Sequence, residues 1–247
     1  MTGGADRRPP MRRLIALELR KVLDVRSGAL PAGLVILLVV AVVAVRLQGG
    51  TAAPTLDALL VAAQAPVAVL LPVLGILSIT SEWSQRTALV TFALVPDRRR
   101  VIGAKLLAAV VLAAAGAAVT LGAATAGFAV AGDRARGGWH LSVAGALQLA
   151  LLDEVDMLFG CAFGLLVLAS GPAIVTFYVV PNSWNLLVAL LPGVHVLGWV
   201  SMSRAAGILA QPTVEGRQWA QVACACAVWV LAPGIAGAVR AGRAEIP

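Results

Sequence analysis

Six apolar runs, each near or above twenty residues, govern what this chain can become. They cover 29–47, 58–79, 106–131, 141–169, 173–196 and 220–239 of 247 residues. A bilayer core is crossed by roughly 20 apolar residues of helix. Without water in that layer, each segment must satisfy its own backbone polar groups. The pattern predicts an all-α integral membrane protein with six transmembrane helices in a domain over 27–239, and a short tail over 240–247. Composition agrees: 60% of residues are hydrophobic and 13% charged, whereas soluble domains carry about 25% charged residues. Pro66 and Pro72 fall in the second run, and Pro181 and Pro192 in the fifth. Neighbouring helices can re-satisfy the freed carbonyls, so kinks are expected rather than breaks. Pro181 and Asn182 leave the continuity of the fifth run open.

A net charge of +7 in a soluble chain would suggest nucleic acid. Here the cations stand beside apolar runs, which points to anionic lipid headgroups and topology, and not to a nucleic-acid partner. Arg7, Arg8, Arg12, Arg13, Arg20, Lys21 and Arg26 precede the first run. Arg86, Arg98, Arg99, Arg100 and Lys105 follow the second, and Arg240 and Arg243 follow the last. Only Arg46, Arg134, Arg136, Arg204 and Arg217 fall on the alternate side. This imbalance, fourteen against five, predicts a multi-pass protein with both termini cytoplasmic. The long basic lead-in and the lack of a small-x-small site after the first run argue against a cleaved signal.

Within the lead-in, 1–10 reads as a disordered tail and 11–26 as an amphipathic helix. Met11, Leu14, Ile15, Leu19, Val22 and Leu23 recur at helical spacing, with Arg12, Arg13, Arg20 and Lys21 mainly between them. Such a helix lies in the membrane interface, stripe in the acyl region and cations at headgroups.

The polar island over 81–105 asks for more than topology. Trp83, Leu89, Val90, Phe92 and Leu94 give it an apolar face too short to span and too long for a solvated loop. Pro96 ends any helix at Val95. Arg98, Arg99 and Arg100 form a basic collar, and Lys105 can snorkel from the start of the third span. Anchoring explains the cations; it leaves Glu82, Thr87 and the apolar stretch unexplained.

These features together resemble the permease subunits of type-2 ABC exporters. The matching residues are Glu18-Leu19-Arg20-Lys21 before the first span, then Glu82, Thr87, Pro96, the three arginines and Lys105 after the second. Pro172-Ala173-Ile174-Val175 through Pro181-Asn182-Ser183-Trp184 is similar to the family's fifth region. The resemblance implies a bacterial inner (plasma) membrane permease that pairs with a second permease subunit, as a homodimer or with a related chain. Two copies of a cytoplasmic ABC ATPase would supply energy, and the cargo would be an unidentified exported substrate. The island would be the coupling loop, with Glu82, Trp83, Arg86, Thr87, Leu89 and Phe92 meeting the ATPase. The chain has no Gly-x-x-x-x-Gly-Lys-Ser/Thr loop, so it is read as a non-enzyme that binds no cofactor itself, ATP and magnesium belonging to the partner.

The fourth run departs from the family pattern, because Asp153, Glu154 and Asp156 stand near its middle. Intramembrane acids cost about 2.5–3.5 kcal/mol each on insertion scales and usually face a cavity or a partner. Three readings stay open. A separate outer helix over 141–152 could leave the acids at an interface, with the span at 155–169. Asp153 and Asp156, three apart on one helix face, could line a pathway for a cationic cargo. Or the cluster 153–156 could relay ions or protons in a stand-alone secondary transporter.

Other motifs are weaker. Gly160-x-x-x-Gly164 and the small residues of the third run read as close-packing faces. Cys224 and Cys226 point nearly opposite ways on a helix and make a poor clamp. Ser170-Gly171 with His195 is similar to a rhomboid protease dyad, but Leu168 replaces the expected glycine. His140 and His195 have no zinc spacing.

Overall fold

A computed structural model describes residues 10–24, 26–49, 53–84, 98–139, 142–191, 193–211 and 213–243. Every regular element among them is helical: α1 Met11–Asp24, α2 Arg26–Gln48, α3 Leu56–Ser84, α4 Arg98–Ala131, α5 Val143–Val167 and α6 Ser170–Leu190. Two short helices follow, α7 His195–Trp199 and α8 Met202–Leu209. A last long element runs through α9 Gly216–Cys226, a π-helical turn Ala227–Leu231, and α10 Ala232–Arg243.

Among the described residues, five helices are long and apolar enough to cross a membrane: Gly28–Gln48, Leu56–Ser81, Arg98–Arg134, Ser170–Leu190 and Gly216–Gly242. The fourth apolar run forms α5, whose 25 residues include the three acids; this charge load sets it apart from those five. α5 is continuous through the acids, and Asp153 is fully buried. The expectation of an outer helix broken from a shorter span is therefore overturned. The cause is local: no proline or glycine interrupts 146–159, and Ser142 caps the start by accepting from the Gly145 amide at 2.9 Å. α6 is likewise continuous through Pro181, and α3 through Pro66 and Pro72.

The helices alternate direction, so the bundle has a basic end, with α1, the end of α3 and the start of α4, and an opposite end. α5 is the central element, packed on α3, α4, α6 and α10. One core joins Val39, Val67, Leu71, Ala113, Met157 and Cys161. Another, on the other side of α5, joins Phe159, Phe163, Phe177, Met202, Ile208 and Trp229. Close approach of α3 and α5 depends on glycine. A Cβ at Gly160 would collide with the Pro72 carbonyl, and one at Gly75 with the Met157 carbonyl. The small-x-x-x-small face therefore serves packing, without the driving force that water would supply. The opposite surfaces of α2, α6 and α10 expose Leu37, Val175 and Ile235 by half or more, an apolar exterior suited to lipid.

The segment after α6 returns into the bundle at the opposite end. Its irregular backbone is held by side chains: Trp184 Nε1 donates to Leu197 O at 3.2 Å, Gln221 Nε2 to Gly198 O at 2.9 Å and Trp229 Nε1 to Val200 O at 2.6 Å. Non-helical backbone at depth is tolerable only with such partners.

Candidate functional site

Two polar constructions stand out against this apolar frame. The first is at the basic end. Glu18 lies on the stripe of α1 that faces the bundle, one turn from Leu14 and one from Val22, both buried. It accepts from Lys105 Nζ through Oε2 at 2.8 Å and from Lys21 Nζ through Oε1 at 2.8 Å. Lys105 also donates to Ser78 O at 3.3 Å. Lys105 is only 6% exposed, so the expected snorkelling anchor is instead an internal tie. α4 starts at Arg98, a full two turns before the apolar run, and this carries Lys105 inside the bundle where Glu18 can meet it. A single carboxylate thus joins α1 to α4, and through the lysine to α3.

Nearby cations close other helix ends. Arg98 Nη1 donates to Ala241 O and Gly242 O, each at 3.2 Å, and Arg240 Nη1 donates to Leu166 O at 2.7 Å. Both meet carbonyls that the last turn of a helix leaves without intrahelical donors. Arg12, Arg13, Arg20 and Arg99 are exposed, and Arg100 is half-buried. Arg86, Thr87, Leu89 and Phe92 lie outside the described residues, as do the side chains of Glu82 and Trp83, whose backbone belongs to the end of α3.

The second construction lies inside the bundle. Gln64 Nε2 on α3 donates to Asp153 Oδ1 at 2.6 Å. Asp153 Oδ2 and Gln64 Oε1 have no hydrogen-bond partner among the described residues, nor do Glu154 Oε2 and Thr120 Oγ1 on α4. Asp153 Oδ2 is 3.8 Å from the point where a Cβ on Gly116 would sit; a larger residue there would crowd the carboxylate. Gln64 lines a cavity of about 500 Å³ between α3, α4, α5 and the end of α8. Asp153 stands one hydrogen bond behind that wall. Asp156 lies within electrostatic reach of Asp153, and also of Tyr178 on α6 and Cys226 on α9. The two acids, about 60° apart around the helix, stay within reach of one another, while Asp153 also meets α3 and Asp156 also meets α6.

Gln64, Thr120 and the pairing of Glu18 escape the sequence reading. Each had a signal: Glu18 interrupts an apolar stripe, and Gln64 and Thr120 are polar positions inside apolar runs. The remaining candidates separate cleanly. Ser170, at the basic end of α6, shares a 2.7 Å hydrogen bond with Thr80. His195 follows the far end of that 21-residue helix, about 30 Å away along its axis. They form no dyad. Cys161, Cys224 and Cys226 are free thiols, and no cluster of metal-ligating side chains occurs among the described residues.

The fold and its apolar exterior define an all-helical protein of the multi-pass membrane type. No family model matches the chain, and no curated protein matches it.

Proposed function

We propose that this chain is the membrane permease of an ATP-driven exporter in a bacterial inner membrane. In this reading α5 is a sixth crossing, its acids shielded by surrounding helices. Its 25 residues extend about 37 Å at 1.5 Å per residue, enough to span. Two such subunits would form the pathway, and a separate ATPase would dock at the basic end through the coupling loop over 81–105.

The observation that carries the reading is the Glu18 tie. Lys105 opens the helix that leaves the coupling loop, Ser78 stands shortly before the loop, and Glu18 belongs to the interfacial helix. A push on the loop would therefore be shared by α1, α3 and α4 rather than absorbed locally. Glu18 belongs to the Glu-Leu-Arg-Lys lead-in that the resemblance singled out.

A second reading, a stand-alone transporter driven by an ion gradient, draws on one observation: Asp153 is fully buried, with one carboxylate oxygen lacking a partner among the described residues. Purification of the tagged full chain from its native membrane separates the two. The permease reading expects a nucleotide-hydrolysing subunit to come with it. Uptake driven by a proton gradient into liposomes holding this chain alone would favour the second.

A further inference from the structure

The cavity between α3 and α5 is a groove with a polar mouth and an aliphatic bed. The two helices run parallel, with Gly160 against Pro72 and Gly75 against Met157. That register sets Asp57 level with Ser142 and Gly145 at the end opposite the basic one, and all three line the cavity. Asp57, Val61, Ala65 and Ala68 follow one another down a single stripe of α3, each exposed and each on the cavity wall. At 1.5 Å per residue this stripe runs about 16 Å into the bundle. The groove is therefore open sideways, toward the apolar exterior, and Leu149 and Leu152 of α5 back it. Its volume, about 500 Å³, lies in the range of pockets that enclose small organic molecules, about 300–1,000 Å³.

Gln148 is the polar group that calls for a ligand. It is only 9% exposed and lines the groove near the level of Val61, below the mouth. Its amide has no hydrogen-bond partner among the described residues, yet its atoms keep accessible surface, unlike the sealed oxygens of Gln64 and Asp153. At the mouth, Asp57 offers a carboxylate. Ser142 Oγ already accepts from the Gly145 amide at 2.9 Å, which leaves its O–H to donate. Gln211 Oε1 accepts from Gln218 Nε2 at 3.1 Å, which leaves its own N–H groups to donate into the lining. Among the described residues no lysine or arginine lines the groove. This mixed set selects the polar chemistry of a ligand. An anionic head would oppose Asp57. An ammonium head donates only, and would leave the N–H groups of Gln148 and Gln211 unmet. A bare hydrocarbon would leave the buried amide unmet, which is costly. Hydroxyl groups both donate and accept, and so serve the carboxylate and the amides together.

We propose that this groove binds a single-chain amphiphile with an uncharged polyol head, of the monoacylglycerol type, taken up sideways from the bilayer. The head hydroxyls donate to Asp57 and accept from Ser142 and Gln211. Gln148 donates to the ester carbonyl beneath the head, and the chain lies along Val61, Ala65 and Ala68. The inference goes beyond the permease reading and does not rest on it, since it needs neither the coupling loop nor a motor.

The test uses the full chain in phosphatidylcholine nanodiscs that contain monomyristoylglycerol with a diazirine in its acyl chain. Photolabelling should saturate with the mole fraction of the probe, and peptide mapping should place the adducts on 61–68 and 149–152. Unlabelled monomyristoylglycerol should suppress these adducts at a mole fraction at least tenfold lower than tetradecyl sulfate or tetradecylamine, whose chains have the same length. This order is read on the unaltered chain and needs no variant. Gln148→Leu should weaken suppression by the glycerol lipid at least fivefold and leave the two charged competitors unchanged, a selectivity that general loosening would not produce. Ala65→Trp should remove the adducts by filling the bed. Equal suppression by tetradecylamine would overturn the proposal in favour of a cation on Asp57, and equal suppression by the sulfate in favour of a chain held without its head. Adducts spread evenly over the outer faces of α2 and α6, or indifference to Gln148→Leu, would overturn it too. No ATPase takes part, so an outcome here is separable from co-purification: either reading can fail while the other stands.

Discussion

Glu18 and Lys105 meet at 2.8 Å across the junction of α1 and α4, their side chains only 12% and 7% exposed. The same carboxylate holds the exposed Lys21 at equal distance, so its two partners differ sharply in solvation. The pair is asymmetric in what its removal leaves behind. Without Glu18, Lys105, only 6% exposed, loses a carboxylate partner that is itself mostly buried. Without Lys105, Glu18 still has Lys21. Glu18→Ala is therefore expected to cost about 3 kcal/mol, the lower end for breaking a buried pair from one side, and Lys105→Met clearly less. The double variant should lose less than the sum of the singles. Thermal unfolding of the three proteins in one nanodisc composition checks both statements; equal losses from the two single variants would contradict the asymmetry.

Glycine positions on the long helices should separate into two classes. A Cβ at Gly160 meets the backbone of Pro72, which cannot swing aside as a side chain could. Gly160→Ala should destabilise by about 1–3 kcal/mol, the usual cost of overpacking. Gly122 has nothing within 4 Å of its added Cβ, so Gly122→Ala should be neutral, or stabilising by up to about 1 kcal/mol from helix propensity. A matched pair of melting curves decides it. Similar losses at both positions would mean that α3 and α5 do not meet through Gly160.

Trp229 holds the irregular segment after α7 through its indole, 2.6 Å from Val200 O. Trp229→Phe keeps much of the ring contact with Phe159 and Trp184 but leaves that carbonyl without this donor. A loss of about 1–3 kcal/mol is expected, with faster amide exchange concentrated over 197–203. Uniform acceleration across the bundle instead would contradict a local role.

What the sequence disclosed, and what it withheld, follows from the range of the interactions. The apolar runs, the amphipathic helix α1 and the capacity of Gly160 and Gly164 for close packing all depend on periodicity and residue size, which a single segment carries. The unbroken course of α5 was harder to read, because Asp153, one of the acids that made a break plausible, is buried by packing and hydrogen-bonded by Gln64, 89 residues away. The pairing of Lys105 was hidden for the same reason: Glu18 is 87 residues distant, and a lysine opening an apolar run looks like an anchor. The α7–α8 return was also not foreseen, since the run over 173–196 continues beyond the end of α6 without a polar boundary. Tryptophan and glutamine side chains from other elements meet the carbonyls at the end of α7 and just after it, and Ser201 caps α8.

The proposed contact with the motor lies in the coupling loop, and its most direct measurement is retention of a partner ATPase by the full chain, with and without residues 87–94. The unaltered chain should co-purify with the ATPase in near-equal amounts. The shortened chain should insert and melt like the original yet lose the ATPase, and Glu82→Ala with Arg86→Ala should weaken retention at least tenfold. Undiminished retention by a correctly inserted, shortened chain would contradict the account, because contact with the motor would then lie elsewhere.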